Sequence, residues 1–231
     1  LKTNDNLAFA VITGCLRISK ESIFTGLNNL EVISILSENY SEYFGFTESE
    51  VRAMLEAYGL SDRLEEVKKW YDGYMFGNTE VYNPWSVINY VKTGSSRGNG
   101  FPRPYWSNTS SNSIVRELID RADLSVKKEI EELIAGNAIE KQVHEDITYA
   151  DIYKSQENLW NFLFYTGYLK VVSQRLEIDT IYLKMMIPNE EVKYIYRNSI
   201  KEWFEDKLKD TNLEKLYNAV LDGDCDSFSV Q

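Results

Sequence analysis

Thr13 and Arg17 are the residues near the start of the chain whose types and positions fit ligand binding. Residues 7–18 form a continuous apolar run, the pattern of a strand buried on both faces of a parallel sheet. Thr13 and Gly14 would end this strand, and ligands of open α/β sheets bind at the carboxyl ends of strands. Arg17 lies in the same apolar surroundings, where an unpaired guanidinium is costly and a phosphate group would compensate its charge. The alternatives are an ordinary strand end at Thr13 and a structural salt bridge at Arg17.

The second candidate site is the segment Tyr82-Asn83-Pro84-Trp85. Asn83 followed by Pro84 predicts a helix start, with Asn83 as its N-cap. Pro84 would fix this helix N-terminus and leave free N–H groups pointing outward, toward an anionic or polar ligand. The alternative is a plain helix start with no ligand.

Aromatic residues are dense around the second site. Trp70-Tyr71-Asp72-Gly73-Tyr74 precedes it by a short polar turn, and together they predict a helix end, a turn and a new helix start. So many aromatic residues around one glycine and one proline are hard to explain by packing alone.

Residues 11–29 and 70–90 resemble the C-terminal half of the bacterial AAA-ATPase-like family, whose members typically continue into a PD-(D/E)XK nuclease-like domain. The resemblance implies a nucleotide-dependent switch protein that uses ATP and Mg. It implies that Thr13 and Arg17 sense the phosphates, and that Tyr82, Asn83, Pro84 and Trp85 form the pocket for the base.

The phosphate-binding half of such an ATPase is missing from this sequence. No Gly-x-x-x-x-Gly-Lys-Ser/Thr motif is present, so the backbone loop and lysine that would hold phosphates are absent. The sequence begins with Leu1, and we expect the ATPase half upstream and the nuclease-like domain downstream. This chain alone is therefore expected to be non-catalytic and to bind ATP weakly or not at all.

Composition narrows the class of protein further. A net charge of −11 disfavours binding to nucleic acid phosphates. Apolar runs are shorter than the roughly 20 residues that a membrane helix requires, so we expect no membrane insertion. Cys15 and Cys225 have neither metal-site spacing nor a disulfide pattern, so we expect no metal site and a cytoplasmic protein.

Periodicity predicts a fold that is mainly α with minor β. Helices are predicted around Ile114 and from a capping box at Thr47, from Asn83-Pro84, and from Ser125, Ser155 and Asn189. The helix after Asn83 is expected to run toward Gly94, and the helix after Asn189 to carry an apolar stripe that includes Val192, Ile195 and Tyr196. Strands are predicted at residues 8–18, 31–36, 139–143, 168–174 and 180–187. The resemblance and these patterns together divide the chain into the C-terminal edge of an ATPase-like core (1–37), a helical lid (38–94), a flexible loop (95–104), a winged-helix-like domain (105–209) and a linker (210–231).

Two other functions remain open. One is a protein-interaction module, which would show an exposed apolar face. The other is a winged-helix nucleic-acid binder, which would carry a basic stripe on the helix after Ser155 or on the following hairpin.

Three further features are interpreted as surface features: His144 as an exposed residue, and Glu191-Val192-Lys193 and Glu66-Val67-Lys68 as solvated charges.

Overall fold

The structure, a computed structural model, describes residue 6 and residues 8–14, 31–97, 100–108, 115, 123–144, 151 and 154–210. Within this part of the chain, helices contain more residues than strands, and the strands form two small antiparallel sheets. The mixed fold with mainly helical content is therefore confirmed.

The first group of elements is mostly helical. It contains α1 (Glu48–Ala57), α2 (Leu64–Tyr71), the hairpin strands β1 (Tyr74–Phe76) and β2 (Thr79–Val81), and α3 (Pro84–Arg97). Thr47 begins α1 with the predicted capping box, in which the Thr47 N–H donates to the Glu50 carboxylate at 2.8 Å. Gly59 and Gly73 follow α1 and α2 with φ of 70° and 96°, the left-handed conformation that ends helices.

The second group combines helices with a three-stranded sheet. It contains α4 (Leu124–Ala135), β3 (Ile139–Val143), α5 (Gln156–Tyr165), β4 (Lys170–Glu177), β5 (Thr180–Met186) and α6 (Glu190–Asp210). The sheet order is β3-β5-β4, and both pairings are antiparallel. Ser155 caps α5 as predicted, since its Oγ accepts from the Asn158 N–H at 3.2 Å. Asp123, not Ser125, caps α4.

Each group has its own hydrophobic core. The first is built around Val51, Val67, Tyr71, Tyr82 and Tyr90. The second is built on the apolar faces of α4, α5, the sheet and α6, and its largest side chain is Trp160, which is 1% exposed. The predicted stripe of α6 is buried at Val192, Ile195 and Tyr196.

The two N-terminal strand predictions are wrong for the residues that can be assessed. Residues 8–14 form no strand and are exposed, and Phe9 is 82% exposed. Residues 31–34 have no regular secondary structure and residues 35–36 form a turn, so residues 31–36 are not a strand. A strand needs neighbours to satisfy its backbone groups, and the described residues provide none here. Residues 15–18 of the first prediction lie outside the described residues.

Other boundaries also differ from the prediction. The polar turn before Val81 is a β-hairpin, β1–β2, which periodicity missed because each strand has three residues. The helix that was expected to stop near Gly94 continues to Arg97. The helix predicted around Ile114 and the linker beyond Asp210 lie outside the described residues, except Val115, which is helical and buried. None of the described helices has the length and apolar character needed to cross a lipid bilayer.

Candidate functional site

Of the two residues proposed to sense phosphate, the structure describes Thr13. Thr13 is exposed and belongs to no strand. Arg17 lies outside the described residues. Their predicted roles therefore stay predictions, and residues 8–14, the described part of the strand that was expected to position Thr13, form no strand.

The predicted helix start at Asn83 and Pro84 is confirmed, but its N–H groups are already used. Asn83 Oδ1 accepts from the Trp85 N–H at 3.1 Å and from the Ser86 N–H at 3.4 Å. The Val87 N–H donates to the Asn83 carbonyl at 3.1 Å. The expectation that free N–H groups point outward toward an anion is thus wrong, because the cap residue itself satisfies them.

Tyr82 and Trp85, which flank this helix start, differ in exposure. Tyr82 is 1% exposed and belongs to the first core, where burial and then the nearby Asp72 carboxylate raise the pKa of its hydroxyl. Trp85 is 52% exposed, and its Nε1–H donates to the Tyr105 carbonyl at 3.3 Å. Ile88, one turn further along α3, is 48% exposed. Trp85 is therefore the aromatic ring of the candidate pocket that a ligand can reach.

Tyr71 is hydrogen-bonded to the backbone of the segment that precedes Tyr105. Its hydroxyl donates to the Arg103 carbonyl at 3.0 Å and accepts from the Arg103 N–H at 2.9 Å. The Tyr71 ring is fully buried between the Tyr90 and Tyr105 rings, at centroid distances of 5.8 and 6.0 Å. The aromatic cluster of the sequence therefore fixes the chain that crosses from the first group of elements to the second.

Ser86 and Glu191 form a fully buried polar contact between the two groups. Both side chains are 0% exposed, and the Ser86 hydroxyl lies 2.7 Å from Glu191 Oε2 and 3.0 Å from Oε1. The Trp106 N–H donates to Glu191 Oε1 at 2.8 Å. The Glu191 carboxylate of α6 is thus hydrogen-bonded both to Ser86, in the first turn of α3, and to Trp106, in the segment that follows Arg103.

Asn189 and Asp72 extend this contact. The Asn189 side-chain amide donates to the Asp72 carbonyl at 2.8 Å, while its Oδ1 caps α6 by accepting from the Val192 N–H at 3.0 Å. Gly73 comes so close to Pro188 that an added Cβ would lie 2.6 Å from the Pro188 carbonyl oxygen. We call Asp72, Ser86, Trp106, Asn189 and Glu191 the polar junction.

Burial sets the protonation of the junction carboxyls. It raises the pKa of Glu191 to about 7, against the opposing hydrogen bonds from Trp106 and Ser86. It also raises the pKa of Asp72 to about 6, where the Gly73 N–H, Lys68 and Lys170 oppose the shift. The Glu191 carboxyl can therefore hold or release a proton near neutral pH.

The interpretation of Glu191 as a solvated charge is wrong. Glu191 lies one helical turn before Ile195, and that spacing from the apolar stripe of α6 was the sequence signal for its burial. Glu66 is intermediate: its side chain is 30% exposed and accepts from the Tyr90 hydroxyl at 2.9 Å. His144 is exposed, as predicted.

The structure also bears on metal and nucleic acid binding. Among the described residues, no group of three or more His, Cys, Asp or Glu side chains is placed to hold a metal ion.

Helix α5 carries no Lys or Arg and buries the continuous run from Leu159 to Phe164. On the following hairpin, Arg175 is paired with Glu140 at 2.6 Å and with Glu177 at 2.5 Å. The hairpin also carries Lys170 and Lys184, and Lys184 lies opposite Glu140 in the sheet. The basic residues of the hairpin are thus interleaved with acidic ones, which does not favour the nucleic-acid binder.

Comparison with known proteins gives one relative and no function. No protein-family model and no solved structure matches this chain. A protein of Azotobacter chroococcum mcd 1, named "Uncharacterized protein in vnfD 5'region", is 32% identical over 197 residues. The match covers 84% of this chain and 34% of the relative, so the chain spans about a third of that protein's length.

Proposed function

We propose that this chain is the helical lid and winged-helix-like part of an AAA-ATPase-like switch protein. In the intact protein, an upstream ATPase half would bind ATP and Mg, and a nuclease-like domain would follow downstream. The match to one part of a longer relative agrees with a role inside a larger protein. On this proposal the protein works in the cytoplasm, and the chain by itself is not catalytic.

The observation that carries the proposal is the exposed Trp85 ring at a fixed helix start. Pro84 and the Asn83 cap define the first turn of α3, and the buried Ser86 in the same turn is bonded to Glu191. Trp85 therefore projects from a rigid backbone while 52% of its surface stays open. An adenine ring stacked on this indole would be held mainly by apolar contact, because the helix N–H groups are already satisfied.

The second group of elements supports the winged-helix part of the proposal. Helix α4, strand β3, helix α5 and the β4–β5 hairpin follow one another in the chain, and β5 lies between β3 and β4 in the sheet. In a winged helix, the hairpin likewise returns to pair with the strand that precedes the second helix. With its apolar residues buried and no basic residue, α5 would serve packing within the switch and not the reading of nucleic acid.

Nucleotide binding by the full-length gene product that contains this chain tests the proposal. We expect Mg-dependent ATP binding by that protein, and weak or no binding by the isolated chain, because phosphate contacts supply much of a nucleotide site's affinity. Full-length protein that binds no ATP, or tight Mg-dependent binding by this chain alone, would contradict the proposal.

Site variants of the full-length protein separate the two predicted roles. Arg17→Ala should chiefly affect hydrolysis or the discrimination between ATP and ADP, whereas Pro84→Ala and Trp85→Ala should chiefly weaken nucleotide affinity. Ile88 is another exposed apolar residue of α3, so Ile88→Ala is a control for the effect of removing any such side chain from this helix. If the variants at Arg17, Pro84 and Trp85 lower the melting temperature but keep normal ATP turnover, these residues are structural.

A further inference from the structure

Three exposed aromatic residues lie on the segment that precedes α1. Tyr40, Tyr43 and Phe44 are 59%, 75% and 47% exposed, and we call them the aromatic platform. Tyr40 is the N-cap, Tyr43 the last residue and Phe44 the C-cap of one 3-10 turn, Ser41–Tyr43. Neither the nucleotide proposal nor the polar junction uses these rings.

The platform is held rigidly by the β1–β2 hairpin. The Gly77 N–H donates to the Ile35 carbonyl at 2.8 Å, and the Ser41 hydroxyl lies 2.8 Å from the Thr79 hydroxyl. The Phe44 ring stacks on Phe76 at a centroid distance of 5.1 Å and an interplanar angle of 5°. The exposed tyrosines are therefore presented by a fixed backbone, so a partner would not have to order this segment on binding.

The backbone of Tyr40 has an energetically unfavourable conformation. Its φ is 61°, in the left-handed region that is unfavourable for a bulky residue. Glycine or asparagine would suit this backbone better, so the position is not optimised for stability alone.

The segment of the chain that carries the platform is acidic. Residues 31–51 contain no lysine, arginine or histidine, whereas Glu38 and Glu42 lie beside the exposed tyrosines. Glu80 is exposed on the supporting hairpin. None of these three carboxylates forms an ion pair with another described residue. The surface thus combines aromatic faces with carboxylates, and among the described residues the cation that interacts with them is Lys68, near Glu80.

From this combination we propose that the aromatic platform binds a basic, arginine-containing segment of a partner protein. A guanidinium stacks on aromatic faces and pairs with carboxylates, so one side chain satisfies both features of the surface. A second copy of this chain fits poorly, because the net charge of −11 would place like charges against each other.

Labelled peptides of equal length, alternating glycine with arginine, lysine or glutamate, are suitable probes for the complete chain. Fluorescence anisotropy should show binding in the order arginine, then lysine, with none for glutamate, and the affinity should fall as salt rises. Tyr43→Ala should weaken binding of the arginine peptide by about tenfold, consistent with the loss of a cation–π contact. Glu42→Gln should weaken binding and reduce its salt dependence.

Matched variants separate this surface from the general charge of the chain. Tyr58→Ala and Glu65→Gln remove an exposed tyrosine and an exposed glutamate elsewhere, and should leave binding unchanged. Tyr40→Gly should weaken binding without lowering the melting temperature, because it also removes the unfavourable φ. The proposal is wrong if the arginine peptide does not bind, if Tyr43→Ala weakens binding no more than Tyr58→Ala does, or if sedimentation shows a dimer that Tyr43→Ala dissociates.

Discussion

The Ser86 hydroxyl lies 2.7 Å from the Glu191 carboxylate, and the two residues are 105 positions apart in the chain. Both are fully buried, so this hydrogen bond joins the helix start at Asn83 to the start of α6. A backbone movement that carries the first turn of α3, and Trp85 with it, away from α6 must break this bond. The stability of the polar junction is therefore the property to test first.

Replacing Glu191 with Gln should change how stability depends on pH. The pKa of Glu191 is about 7 in the folded protein and 4.5 for an ordinary glutamate, so the folded state binds the proton more tightly. Unfolding between these pH values releases a proton, so the contribution of Glu191 to stability falls as pH rises from 4.5 to 7 and is constant above. The glutamine of this variant would have no such proton to release. The free energy of unfolding of Glu191→Gln, relative to that of wild type, should therefore rise by up to about 3 kcal/mol between pH 4.5 and pH 7.

Urea denaturation at pH 5 and pH 8 measures this difference. Asp72 has its own raised pKa but is present in both proteins, so its effect cancels in the comparison. Glu65→Gln at an exposed position is the control, and it should show no such gain. An equal stability difference between wild type and Glu191→Gln at both pH values would contradict a buried, titrating Glu191.

Ser86→Ala should destabilise the protein by about 1–3 kcal/mol at pH 8, because a buried carboxylate loses a hydrogen-bond donor. The effect should be smaller at pH 5, where the Glu191 carboxyl is protonated. Ser95→Ala, at an exposed position on the same helix, should have little effect at either pH. The measurement is again urea denaturation, and a pH-independent loss would mean that the Ser86 hydroxyl serves packing only.

Tyr71→Phe should destabilise the protein by about 1–3 kcal/mol, since it leaves both backbone groups of Arg103 without their partner. Hydrogen exchange at the Arg103 amide should accelerate in the same variant. Tyr90→Phe removes one hydrogen bond to the partly exposed Glu66, so it should destabilise the protein less than Tyr71→Phe does. Equal losses in the two variants, with unchanged exchange at Arg103, would show that Tyr71 does not fasten this segment.

Ile178→Gly should stabilise the protein by about 1 kcal/mol, because a left-handed conformation is costly for a β-branched residue. Ile178 is in the turn between β4 and β5, has a φ of 58° and is 95% exposed, so its side chain contributes little packing. Leu176→Gly, on β4 next to the turn, should instead destabilise the protein. Thermal denaturation distinguishes the two, and a lower melting temperature for Ile178→Gly would show that its side chain is needed.

Local signals in the sequence determined the helices and most of their ends. The caps at Thr47, Asn83, Ser155 and Asn189 were all predicted, because a capping side chain acts on backbone groups within three residues. The β4–β5 hairpin and strand β3 were also predicted from their patterns. These features depend on near neighbours in the chain, which the sequence shows directly.

Tertiary structure decided what depends on distant neighbours. The apolar run at residues 8–14 has the composition of a buried strand, but a strand requires paired neighbours, and the described residues contain none for it. The sequence predicts Glu191 as a solvated charge at a helix start, yet the packing of α3 and the Trp106 segment against α6 buries it. Helix periodicity fixes which residues share a face, whereas burial depends on the partner that covers the face, and here that partner lies 105 positions away.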